Sequence, residues 1–193
     1  SLKASTIAEY FPISLTALEL NLDGFTWDMP CVMALLRSLR SLHTCNDEGW
    51  SSWSSEGLAA CSPDLTSLKI RSIDFLTDNE PAVILPRGLI EFMAPVGSYV
   101  PLRSINFPPT LTKLHGVELR PDEFCLLPPS ITELFLELDD PDSTLGTSQF
   151  KDKLPDTIND LRVYSTGGEF SLKGWLPTRL EILHVLMEMV LQD

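Results

Sequence analysis

Basic residues, closely spaced cysteines and long apolar runs are all scarce in this chain of 193 residues. It has 14 Lys and Arg against 27 Asp and Glu, which gives a formal net charge of −13. A surface of that sign repels phosphate backbones and anionic lipid headgroups, so nucleic-acid binding and membrane-surface binding are not expected. No apolar stretch approaches the ~18 residues of a membrane-spanning helix. The first ten residues lack the charged-then-apolar layout of a signal peptide.

The four cysteines are Cys31, Cys45, Cys61 and Cys125, and no two of them have C-x-x-C spacing. That spacing would be needed for a compact zinc or redox motif. We expect all four to be reduced and mostly buried, with a Cys31–Cys45 or Cys45–Cys61 disulfide as the alternative. The chain also has no N-x-S/T acceptor site for N-glycosylation. We therefore expect a cytoplasmic protein, with an extracellular location as the alternative.

Catalytic sequence motifs are absent as well. The sequence contains no Gly-rich phosphate loop, no G-x-S-x-G and no H-E-x-x-H. Apolar residues nevertheless make up 44% of the chain, which is enough for a sizeable core and excludes intrinsic disorder. We expect a folded protein that is not an enzyme and needs no cofactor.

Eight copies of one pattern run along the chain, separated by 20 to 27 residues. Each copy has an apolar residue, usually followed by Pro, then a Leu or Ile that we call the anchor, then another apolar residue three positions later. The anchors are Leu15, Leu39, Leu65, Leu89, Leu111, Ile131, Ile158 and Leu180. The residues three positions after them are Leu18, Leu42, Leu68, Phe92, Leu114, Leu134, Leu161 and Leu183. Repetition at this interval predicts a solenoid of stacked coils.

The spacing after each anchor predicts a β-strand. The second apolar residue and the residue two beyond it point to the same side of a strand. One such strand cannot bury its apolar side alone, so neighbouring copies are expected to stack around a shared core. Pro precedes the anchor by three positions in six of the eight copies and favours an extended backbone there. The Ser and Thr residues beside the anchors are expected to bond local backbone groups in the turn.

The pattern LP-x-S/T-L-T-x-L-x-L, which recurs from about Phe11 to Leu186, resembles the repeats of the leucine-rich repeat superfamily. It is similar to the irregular FNIP-type repeats of amoebae and giant viruses and to the LP-x-x-L-x-x-L repeats of bacterial secreted effectors. The asparagine ladder that such repeats carry eight residues past the anchor is missing here. The resemblance implies an α/β-class, right-handed solenoid with a parallel concave β-sheet and a mostly irregular or 3-10 convex side.

We expect residues 1–193 to form a single domain of about eight repeats that belongs to a longer chain. The segment after Leu180 is apolar and lacks the polar cap that a solenoid end needs. A homo-oligomer contact through this uncapped end is the alternative. Short helices are predicted at residues 31–38 and, more weakly, at residues 54–61.

The variable strand residues are predicted to face solvent on the concave side. The central column, four positions past each anchor, holds Glu19, His43, Lys69, Met93, His115, Phe135, Arg162 and His184. The column six positions past the anchors includes Val117, Glu137 and Tyr164. The three histidines lie three repeats apart, about 14 Å at ~4.8 Å per strand, which is too far to share a metal ion. No metal site is expected.

Exposed aromatic and Met side chains among charges of both signs are typical of a protein-binding face. The candidate partner-binding residues are Lys69, Arg71, Met93, Lys113, His115, Phe135, Arg162, Tyr164 and His184. We expect a protein–protein interaction module that binds a protein partner on its concave sheet. The alternatives are the substrate-recognition domain of a larger enzyme, such as a ubiquitin ligase or kinase, and a surface adhesin.

Overall fold

The computed structural model describes ten β-strands of the chain. The described residues are 11–12, 14–21, 37–45, 58, 61–70, 83–94, 102, 105–118, 121–138, 154–165 and 176–187. The strands are β1 (Ala17–Asn21), β2 (Ser41–Cys45), β3 (Ser67–Ile70), β4 (Val83–Ile84), β5 (Glu91–Met93), β6 (Ile105–Asn106), β7 (Lys113–Glu118), β8 (Glu133–Leu138), β9 (Asp160–Ser165) and β10 (Ile182–Met187). They form a parallel β-solenoid, as the repeat predicts.

Eight of these strands pair in one parallel sheet, in the order β1-β2-β3-β5-β7-β8-β9-β10. Each of the eight begins two residues after its anchor. The register brings the second apolar residue of every repeat into one row, which runs Leu18, Leu42, Leu68, Phe92, Leu114, Leu134, Leu161 and Leu183. All but the last of this row are buried. The predicted single file of core residues is confirmed.

The spacing before the anchor corresponds to a tight turn in the coils anchored by Leu15, Leu65, Leu89, Leu111, Ile131, Ile158 and Leu180. The anchor N–H donates to the carbonyl of the residue three positions earlier, for example from Leu89 to Pro86 and from Leu111 to Pro108, both over 3.1 Å. Proline suits this position because only its carbonyl is used and its missing N–H costs nothing. The turn drives the anchor into the core, where Leu89 and Leu111 are fully buried.

The Ser and Thr hydroxyls beside the anchors bond the preceding coil, which corrects the expectation that they bond their own turn. Ser130 Oγ donates to the carbonyl of Leu111 over 2.6 Å, and Thr157 Oγ1 donates to the carbonyl of Pro129 over 2.9 Å. Thr66 Oγ1 reaches the carbonyl of Arg40 over 3.0 Å. These bonds join residues 19 to 28 positions apart in sequence. They form a hydroxyl ladder between coils at the strand entrance.

Parts of the connections between the strands lie among the described residues. Strands β4 and β6 form a separate two-stranded parallel sheet. A 3-10 helix, η1, spans Pro121–Leu126 and buries Phe124 against the core. Leu58, inside the weaker predicted helix, has an α-helical backbone, while nearly all of the helix predicted at residues 31–38 lies outside the described residues. Nowhere in the ranges given above does a helix have the length and hydropathy needed to cross a bilayer.

Two of the four cysteines can be placed. Cys61 lies in the core and forms no disulfide, so the alternative of a Cys45–Cys61 bridge is wrong. Burial raises the pKa of the Cys61 thiol from 9.0 to about 12, which makes it a poor nucleophile at neutral pH. Cys125, on η1, also forms no disulfide but is exposed rather than buried. Cys31 and the side chain of Cys45 lie outside what the structure describes.

Candidate functional site

The side of the eight-stranded sheet that faces away from the core carries the predicted site residues; we call it the open face. In β9 the burial alternates along the strand, so that Leu161 and Val163 point inward while Asp160, Arg162 and Tyr164 point outward. The pairing register extends this alternation to the neighbouring strands. The central column runs Glu19, His43, Lys69, Met93, His115, Phe135, Arg162 and His184, one residue per strand, as predicted.

The predicted partner-binding residues differ in how far they reach solvent. Arg162 and His184 are exposed. Lys69, Met93, Lys113, Phe135 and Tyr164 are half-buried. His115 is only 8% exposed, so the prediction that it stands free in solvent is wrong. Arg71 lies outside the described residues.

A pair of opposite charges joins strands β3 and β5 on the open face. Lys69 Nζ lies 3.2 Å from Glu91 Oε1, and Ser67 Oγ donates to Glu91 Oε2 over 2.7 Å. Burial opposes ionisation of Glu91, but the hydrogen bonds from Ser67 and Lys69 outweigh it and hold the pKa of Glu91 below its ordinary value. Glu91 is therefore ionised and locked in place at neutral pH.

The carboxylate of Glu133, on β8, lies close to three side chains that are positively charged or become so on protonation. Its carboxylate lies 2.8 Å from Lys113 Nζ, 3.1 Å from His115 Nε2 and 3.6 Å from Arg162 Nη2. The hydrogen bond to Glu133 raises the pKa of Lys113. Arg162 also holds Asp160 with two contacts, Nη2 to Oδ2 at 3.1 Å and Nε to Oδ1 at 3.4 Å, which raise the pKa of Arg162. We call these five residues the Glu133 cluster.

The Glu133 cluster leaves the middle of the open face nearly neutral. Within it and the neighbouring Lys69–Glu91 pair, three cationic side chains face three carboxylates while His115 is uncharged. Burial lowers the pKa of His115, and the charges of Arg162 and Lys113 lower it further, while Glu133 and Glu91 oppose the shift. The excess of negative charge in the chain must lie mainly elsewhere.

A β-bulge interrupts strand β7 beside His115. Gly116 has a φ of 71°, in the left-handed region that Gly adopts without a steric penalty. Before the bulge His115 pairs with Phe135, and after it Val117 pairs with Leu136. After the bulge Glu118, and not Val117, shares the register of Glu137 and Tyr164. The prediction that Val117 lies in one column with Glu137 and Tyr164 is wrong.

The open face ends in an apolar patch at β10. Ile182 is 44% exposed and Leu186 is 59% exposed. In the register Ile182 lies beside Asp160, and Leu186 lies beside Tyr164. Large apolar side chains next to an aromatic ring and charged groups are typical of protein-binding surfaces. The sequence analysis did not select Ile182 and Leu186, although both stood at outward positions of the repeat.

The remaining histidines occupy different surroundings. His43 Nδ1 lies 3.4 Å from Glu19 Oε1 on the neighbouring strand. His184 pairs in register with Arg162 and is exposed. Three strand-to-strand steps separate each histidine of the column from the next. No group of three or more potential ligands that could hold a metal ion occurs among the residues the structure describes.

Fold and face together define a parallel β-solenoid with a charge-paired open face and an apolar patch at one end. A scan against protein-family profiles, a search of curated proteins and a search of solved structures found no significant match to this chain.

Proposed function

We propose that this chain is a leucine-rich-repeat-type solenoid that works as a protein–protein interaction module and has no catalysis of its own. The observation that carries the proposal is the apolar end of the open face, where Ile182 and Leu186 are exposed on β10, next to the strand that carries Arg162 and Tyr164. Arg and aromatic residues are enriched among the side chains that dominate binding energy at protein interfaces. The sheet has eight strands, which offers an extended surface to a protein partner.

The charge pairs of the open face support the same proposal. Lys113 Nζ lies 2.8 Å from Glu133, and this contact reduces the side-chain entropy that is lost when a partner docks. Phe135 lies in register between His115 and Arg162 and is half-buried. An aromatic ring beside paired charges provides both contact area and orientation for a partner.

The test replaces two central residues of the face together, Phe135→Ala and Arg162→Ala. The wild-type chain is immobilised, proteins enriched on it from its source cells are identified, and the purified candidate is titrated calorimetrically against each variant. The double variant is expected to lose at least tenfold in affinity, while its melting temperature falls by no more than about 5 °C. Unchanged affinity of a directly binding partner would exclude this part of the face as its site.

The matched control carries Arg87→Ala and Leu126→Ala. It also removes one arginine and one large apolar side chain, and both residues are exposed but lie outside the strands of the open face. The control is expected to bind like wild type. Equal losses in both double variants would indicate a general effect on folding or solubility instead of a contact.

A further inference from the structure

His115 is a buried polar side chain in the middle of an otherwise charge-paired surface. Its side chain is 10% exposed, and Nε2 has no hydrogen-bond partner although it lies 3.1 Å from Glu133 Oε1. The contact is therefore short but not aligned as a hydrogen bond. A buried polar atom without a hydrogen bond costs free energy, so its presence here needs an explanation.

The charged groups around His115 come from every neighbouring element. Lys113 lies on the same strand, β7. Glu91 lies on β5, and Glu133 lies on β8. Arg162 reaches the same carboxylate from β9. Two negative and two positive groups thus face the imidazole, so its charge depends on a local balance and on its burial.

The three contacts of Glu133 are unequal. Lys113 is the closest at 2.8 Å, and Arg162 is the most distant at 3.6 Å. Arg162 also has a nearer, two-contact partner in Asp160. A new donor on Glu133 Oε1, the atom that faces both His115 and Arg162, would therefore displace Arg162 first.

We propose that His115 is an acid-operated switch in the open face: when the imidazole takes up a proton, Nε2–H donates to Glu133 Oε1, and Arg162 leaves Glu133 and stays with Asp160 alone. The proton comes from solvent and no covalent bond other than N–H forms. The orphaned Nε2 is then bonded in the protonated state. Arg162 moves at the side of Phe135, which is the region we propose for partner contact.

The effect on binding rests on the proposed function. A partner that covers the open face removes the remaining water from His115 and makes its charged form still less favourable. Binding therefore releases a proton wherever His115 is protonated in the free chain, so partner affinity falls as the pH drops through the pKa of His115, which burial holds below its ordinary value. Above that pKa the imidazole is neutral both free and bound, and affinity no longer changes with pH through this group.

The switch can be tested on the isolated chain, without a partner. Histidine Cε1–H and Arg162 Nε–H signals are followed by NMR between pH 8 and pH 5, above the isoelectric point of about 4.5. His115 is expected to titrate with a midpoint below 6.5, and the Arg162 signal is expected to shift with the same midpoint. An Arg162 signal that stays constant while His115 titrates would overturn the proposal.

Three variants separate the switch from its neighbours. Glu133→Gln should abolish the pH-dependent shift of Arg162, and it should lower the His115 midpoint further because a neighbouring negative charge is lost. His184→Gln should leave the Arg162 response intact, although His184 lies beside Arg162 in the register. His115→Gln should remove the response; its persistence there would assign it to another group. Because no partner is involved, a negative result here does not bear on the proposed function, and the reverse also holds.

Discussion

At the scale of single residues, Gly88 shows how closely successive coils approach one another. A Cβ built on Gly88 would lie 2.7 Å from the carbonyl oxygen of Pro63 in the preceding coil, closer than real Cβ atoms come to backbone. At the same template position in the following coil, Thr110 instead places its hydroxyl 2.8 Å from the carbonyl of Arg87. At this template position Gly88 therefore lies directly against the backbone of the preceding coil, whereas Thr110 places a hydroxyl there.

We therefore expect Gly88→Ala to lower the free energy of unfolding by about 1–3 kcal/mol, because the backbone of two coils must separate. Urea unfolding at neutral pH measures this as a lower midpoint with an unchanged slope. Asp64→Ala is the matched control, at the same template position one coil earlier and exposed. It should change stability by no more than about 0.5 kcal/mol. Equal stabilities of the two variants would contradict the close approach.

At the scale of elements, the hydroxyl ladder joins successive coils at the strand entrance. Thr110 Oγ1 lies 2.8 Å from the carbonyl oxygens of both Arg87 and Leu89, so one proton is shared between two acceptors. Two positions later Thr112 Oγ1 lies 3.5 Å from the carbonyl of Ile90, at the limit of a hydrogen bond. Two threonines in one turn thus differ mainly in how well their hydroxyls are bonded.

Thr110→Val keeps the shape of the side chain and removes the hydroxyl. We expect it to cost about 1 kcal/mol, since it removes the hydroxyl's hydrogen bonding to two carbonyl oxygens. Thr112→Val should cost less, about 0.5 kcal/mol at most, because its bond is barely formed. The comparison of urea midpoints for the two variants measures the ladder directly. A larger loss for Thr112→Val would show that the ladder contributes little.

The strands could be predicted from the sequence because core position depends only on spacing from the anchor. The charge pairs were not predicted, although Glu91, Lys113 and Glu133 occupy the same outward row in successive coils and alternate in sign. That alternation at one spacing from the anchor was the available signal. The register changes only after His115, at the bulge of Gly116, and there a glycine inside a strand pattern was the available signal.

The burial of His115 could not be predicted from its position in the repeat. The repeat assigns it to the outward row, where a flat strand would leave it in solvent. Its actual exposure of 8% results from neighbours on both sides, with Met93 and Phe135 beside it in the column. The size of the side chains in adjacent coils determines how far they shield His115 from solvent. Spacing along the chain does not give the extent of this shielding.

At the scale of the whole molecule, the core side chains are buried in the middle of the sheet and partly exposed to solvent at β10. Leu161 is fully buried, whereas Leu183, its partner in the register, is 39% exposed. Val163 and Val185 show the same contrast. In a solenoid each coil contacts only its neighbours, so the free energy of a core position depends on whether coils lie on both sides.

This gradient makes a comparison of two identical substitutions informative. Leu161→Ala should lower the free energy of unfolding by about 2–5 kcal/mol, because it opens a cavity between β8 and β10. Leu183→Ala should cost about half as much or less, because its side chain leaves water only in part on folding. Urea unfolding followed by far-UV circular dichroism compares them on one scale. If both cost the same, then β10 is covered in solution, and the apolar row along that edge is an interior surface rather than an exposed one.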